Sequence, residues 1–167
     1  MAKWVFASEG FTPVGVLDTA AYTDNGYMGL MGGSTTQRID IYEVYMGGLA
    51  TASAPSPMVL ARDGIVQATP TALTTAQSNA ALDPATAALA APQVAFTAST
   101  TKPQRAAALA KLPLGFNAFG GVVRMNLPLG QELKILGNTA SLGEASLSAY
   151  TGGTPGLINA SISYETF

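Results

Sequence analysis

The 167 residues include no histidine and no cysteine, and 11% of them are charged, against about 25% in ordinary soluble proteins. That composition removes histidine acid–base chemistry, thiolate nucleophiles and thiolate metal sites. The eight basic residues (Lys3, Arg38, Arg62, Lys102, Arg105, Lys111, Arg124, Lys134) are scattered through a chain of net charge −2, so no nucleic-acid partner is expected. No run reaches the roughly 20 apolar residues of a membrane span, and no membrane partner is expected either.

In chain order, Lys3 to Ala7 predicts an edge strand. Ala20 to Thr23 and Tyr27 to Met31 flank Asp24-Asn25-Gly26, and Asn-Gly accepts the positive φ of a hairpin turn. Arg38 to Met46 is the strongest strand. Strict alternation would put Ile39, Ile41 and Tyr45 on one face and Tyr42, Val44 and Met46 on the other. A strand apolar on both faces is central, or covered on one face by a partner subunit. Met58 to Arg62 follows, stopped by Asp63-Gly64.

From Gly64 to Thr101 the chain holds one charge, Asp83, and is rich in Ala and Thr. Thr74 to Leu82 predicts two turns of helix, and Gln93 to Ala98 a strand. The rest reads as a long loop or arm. Leu73, Leu82, Leu89, Val94 and Phe96 recur too often for a solvated tether. The expectation is an arm, 64–101, lying on a neighbouring subunit.

Alternation with period two governs the rest. Gly121 to Leu127 places Val123, Met125 and Leu127 on one face. Pro128-Leu129-Gly130 turns into Gln131 to Leu136. Glu144 to Tyr150 faces Ala145, Leu147 and Ala149 inward, and Ile158 to Glu165 does the same with Ile158, Ala160, Ile162 and Tyr164. The turn-rich segment 151–156 between these two strands predicts an antiparallel pair. Roughly eight to ten short strands with little helix predict a single all-β domain over 1–167, a sandwich or barrel.

Candidate chemistry is sparse. Asp24-Asn25-Gly26 is a fragment of a calcium loop without its spacing or closing glutamate. Asp40, Glu43, Glu132 and Glu144 are the carboxylates available for glycoside hydrolysis. Asp40 and Glu43 sit three apart and would face opposite sides of a strand. No catalytic residue, metal or cofactor is expected. Asn159-Ala160-Ser161 matches a glycosylation sequon, but the N-terminus lacks the apolar core of a secretory signal. The tyrosines, Tyr42 and Tyr45 among them, are expected in the core or an interface.

Gly115-Phe116-Asn117-Ala118-Phe119-Gly120-Gly121-Val122-Val123-Arg124, Gly143 to Ser148, Gly152 to Gly156 and the ending Ser161-Ile162-Ser163-Tyr164-Glu165 resemble decoration, or cement, proteins of tailed bacteriophages. The resemblance implies a jelly-roll sandwich that trimerises on the outer capsid surface and binds the major capsid protein. It implies a virion protein made in the host cytoplasm. Apart from the resemblance, the two-faced strand and the low-charge arm place the expected interface at Ile39, Ile41, Tyr42, Val44, Tyr45, Leu73, Leu82, Leu89 and Phe96. Three other readings stand beside that of a decoration protein. They are a trimeric carbohydrate- or receptor-binding head-fibre module, an enzyme, and a coat subunit. An exposed Tyr or Trp with polar neighbours would favour the first. Missing acid–base and nucleophile sets weigh against the second, and the lack of a basic arm against the third.

Overall fold

The strand Arg38–Gly48 organises the molecule, because it pairs along both edges. The computed structural model describes residues 2–7, 26–65, 71–72, 80–83, 94–97, 104–105, 111–137, 143–149 and 158–167. Every regular element among them is a strand. These are β1 (Ala2–Ala7), β2 (Gly26–Met31), β3 (Arg38–Gly48), β4 (Pro55–Ile65), β5 (Thr71–Ala72), β6 (Ala80–Ala81) and β7 (Val94–Thr97). They continue as β8 (Gln104–Arg105), β9 (Lys111–Asn117), β10 (Val122–Asn126), β11 (Leu133–Leu136), β12 (Glu144–Ala149) and β13 (Ile158–Thr166).

Two antiparallel sheets form an all-β sandwich. Sheet one runs β10-β3-β13-β1-β6, with β11 beside β10 on the same edge of β3. Sheet two runs β5-β7-β2-β12-β4-β8, with β9 also on β4. The long strands alternate between sheets: β1, β3, β10 and β13 lie in one, β2, β4, β9 and β12 in the other. β13 therefore sits between β1 and β3, and β12 between β2 and β4. This corrects the expected pairing of the last two strands. β12 and β13 belong to opposite sheets, each held by strands from the first 65 residues of the chain.

The core lies between the sheets. Ile158, Ala160, Ile162 and Tyr164 of β13 are all buried, as alternation requires, against Met28, Leu30, Met58, Leu60, Ala145 and Leu147 of sheet two. β3 departs from alternation. Ser163 pairs with Glu43 but Tyr164 pairs with Ile41, so Tyr42 is an extra residue, a β-bulge. The bulge shifts the strand by one position. Ile39, Ile41, Val44 and Met46 then all point into the core.

Other expectations change for equally local reasons. β1 is not an edge strand, because β6 pairs along its second side. β9 went unforeseen because it contains Pro113 and Gly115. Proline lacks an N–H, and β9 tolerates it at the margin of its sheet, where its one long pairing is with β4. In the segment 64–101, β7 falls on the expected strand Gln93 to Ala98. Ala80 and Ala81 are strand rather than helix, while 73–79 lie outside the described residues. β5, β6 and β7 pair with one another or with β1 and β2 of their own chain. At those positions the arm extends its own sheets.

Candidate functional site

At the finish of β3, two connections lock together. Gly48 N donates to Gly121 O (2.8 Å), Ala50 N to Ala118 O (3.0 Å) and Ala118 N to Ala54 O (2.8 Å). Asn117 organises the turn after β9. Its Oδ1 accepts from Ala54 N (3.0 Å) and Phe119 N (2.9 Å), and its Nδ2 donates to Ser53 Oγ (2.9 Å). The sequence permits this closure through glycine. Gly120 takes a φ of 71°, in the left-handed region. A Cβ on Gly48 would collide with the Ala118 backbone. These backbone groups are paired within the chain, but the side chains around them are not covered. Leu49 is 48% exposed, Phe119 59% and Val122 61%.

Beside this tip, on the outer face of sheet one, lies a cleft of about 470 Å³. Its walls are Tyr45, Gly47, Gly48, Leu49, Gly120, Gly121, Val122, Asn159, Ala160 and Ser161. Tyr45, 41% exposed, opposes Ser161 across the β3–β13 pair, and Gly47 opposes Asn159. No charged side chain lines the cleft. The segments that build this end, 44–61, 112–123 and 158–164, contain no Asp, Glu, Lys or Arg.

The start of β3 is the opposite. Arg38 holds Asp40 through two hydrogen bonds (2.8 and 2.6 Å) and stacks over Phe167 at 5.1 Å. Lys134 lies 3.6 Å from both Asp40 and Glu132. Arg62, on β4 of sheet two, donates from Nε (2.9 Å) and Nη2 (2.5 Å) to the Lys134 carbonyl of sheet one, bridging the layers. The Asp40 carboxylate holds the Arg38 guanidinium above its usual range. The Gly130 N–H, donated to Glu132 at 2.8 Å, holds that carboxyl below its usual range. A smaller cavity of about 320 Å³ lies among Arg38, Arg62, Lys134, Ile135 and Leu136. Of its three cations, Arg38 and Lys134 share Asp40, and Arg62 is held by the Lys134 carbonyl.

Three expected interface residues need correction. Ile39 and Ile41 are 0% exposed and Val44 1%. The bulge at Tyr42 turns them into the core, where no second chain reaches them. Tyr42 stays on the outer side, half-buried against Ser163, Glu43 and Glu165, and burial first, then Glu43, pushes its phenol up. Tyr45 lines the cleft and Leu82 is 54% exposed. Phe96 lies on β7, opposite Gly29 and Ala72. Leu73 and Leu89 lie outside the described residues.

The candidate carboxylates do not converge. Asp40 binds Arg38, Glu43 binds Arg124, Glu132 binds Gly130, and Glu144 is buried on β12. Among the described residues no three His, Cys, Asp or Glu side chains group to hold a metal. Sequence reasoning missed Leu49, Val122, Asn159 and Ser161. The available signal was two glycine doublets, Gly47-Gly48 and Gly120-Gly121, each in a stretch without charge. Comparison with protein-family models, curated proteins and solved structures returned no match.

Proposed function

We propose that this chain is a structural virion protein that decorates a tailed-bacteriophage capsid, docking on the major capsid protein as a homotrimer. The observation that carries the reading is the uncharged tip, where Leu49 and Phe119 stand exposed on loops already fixed by backbone hydrogen bonds. A rigid apolar surface loses little conformational entropy on binding. Burying it contributes about 25 cal/mol per Å². The antiparallel order β1-β13-β3-β10 over β2-β12-β4-β9 supports the reading, since it is compatible with the jelly roll proposed here, an architecture of viral capsid domains. Fold alone does not assign function, so the tip bears the weight. A ligand that binds only the assembled shell stabilises it by mass action.

The test is co-sedimentation with undecorated capsids assembled from the major capsid protein of the same virus. The expected result is saturable binding, reduced by roughly tenfold in Leu49→Ser/Phe119→Ser. The melting temperature of the isolated variant should stay close to that of the parent. Absence of co-sedimentation, or full occupancy by the double variant, overturns the docking assignment. Sedimentation equilibrium of the free and capsid-bound protein tests the trimer.

A further inference from the structure

We propose that the cleft on the outer face of sheet one binds a neutral saccharide, an activity separate from docking at the tip. The argument starts from what the cleft lacks. With no charged wall, it offers nothing to replace the hydration of a phosphate, nucleotide or carboxylate, so anionic ligands are disfavoured. A wholly apolar ligand fits no better, because it would leave the polar groups of the cleft dry.

Those groups are specific. The Tyr45 hydroxyl and the Ser161 hydroxyl have no side-chain hydrogen-bond partner among the described residues. Both stand at opposed positions of β3 and β13 on the same face. Each can donate and accept. The Asn159 amide stands one pair further along, opposite Gly47.

The platform is equally specific. An ideal Cβ on Gly47 would sit 3.9 Å from Tyr45 Cε1 and 4.0 Å from its hydroxyl. The ring therefore reaches along the strand to Gly47, where no side chain intervenes. A pyranose presents a face of C–H groups and a rim of hydroxyls. The C–H face suits the exposed tyrosine ring, and the rim suits the Tyr45 and Ser161 hydroxyls. The glycine walls let ligand hydroxyls approach the backbone. A volume of about 470 Å³ falls in the range of small-ligand sites and suits a mono- or disaccharide. The hydrogen bonds around Asn117 and Gly48 hold one wall in place before any ligand arrives.

The experiment is an NMR titration of the full chain, uniformly labelled with nitrogen-15. The probes are maltose, lactose, cellobiose, mannobiose and chitobiose, with glucose 6-phosphate as the charged control. At least one neutral disaccharide should give saturable shifts of the Gly47, Gly121, Val122 and Ser161 amides. Tyr45→Ala should weaken binding roughly tenfold without lowering the melting temperature, since the ring is exposed. Phe119→Ser, which alters the tip but not the cleft, should bind sugar as the parent does. Three results would overturn the proposal: no saturable shift with any neutral sugar, unchanged affinity in Tyr45→Ala, or tighter binding of glucose 6-phosphate. Loss of capsid docking in Phe119→Ser with sugar binding retained separates the two sites.

Discussion

At the start of β3 the sandwich is closed by charge, and at its finish, about 33 Å away by strand rise, by glycine and backbone hydrogen bonds. At the first end Arg38, Asp40, Lys134 and Glu132 answer one another and Arg62 crosses between the sheets. At the second end backbone hydrogen bonds tie the loops together, and Leu49, Phe119, Val122 and Tyr45 face outward. Both ends are fixed and both expose apolar side chains, Leu136 and Phe167 at the first, Leu49, Phe119 and Val122 at the second, but at the first those side chains sit among charges.

The largest expected effect breaks the neutral end. Gly48→Ala places a methyl group against the Ala118 backbone, which no side-chain rotation relieves. The cost should be about 1–3 kcal/mol, read as a lower melting temperature with faster amide exchange at Ala50 and Gly121. Gly47→Ala is the control. Its Cβ meets only the Tyr45 ring, at 3.9 Å or more, and stability should stay within about 0.5 kcal/mol. Equal effects from the two substitutions would show that the loops are not locked as described.

The next effect breaks the charged end. Arg62→Met keeps the apolar stem but removes two donors from the Lys134 carbonyl. A loss of about 1–2 kcal/mol is expected, with exchange rising in β11 and unchanged at Ala50 and Ala118. Loosening at both ends together would mean that the ends are coupled through β3 rather than closed independently.

The sequence disclosed strands better than their partners. β13 was legible because it alternates strictly and its inward residues meet one core. β3 was legible as a strand, but its faces were not. The bulge at Tyr42 exists because β13 must match Ser163 to Glu43 and Tyr164 to Ile41, a requirement set more than a hundred residues away. Ile39, Ile41 and Val44 were therefore assigned to an interface when they fill the core. The tip and cleft were hidden for the same reason. Gly47-Gly48 and Gly120-Gly121 are unremarkable turn signals until the fold sets them side by side.

The smallest effect sharpens the comparison through pH. The Gly130 N–H holds the Glu132 carboxylate, and its folded pKa lies below the ordinary glutamate value. A depressed pKa means that the unfolded chain binds the proton more readily. The stabilisation is therefore complete above the unfolded pKa and is lost as pH falls through the lower folded value. Acidification below about pH 4 should release the Gly130 amide, seen as a shift change and faster exchange, and Glu132→Gln should abolish that dependence. The neutral end provides the internal reference. Segments 44–61, 112–123 and 158–164 hold no Asp or Glu, so the Gly48, Ala50 and Gly121 amides should not respond over the same range. A matching acid transition at Gly121 that Glu132→Gln abolishes would mean that charge at the far end of β3 helps hold the tip, whereas one that survives Glu132→Gln would trace to Glu43 beside Arg124.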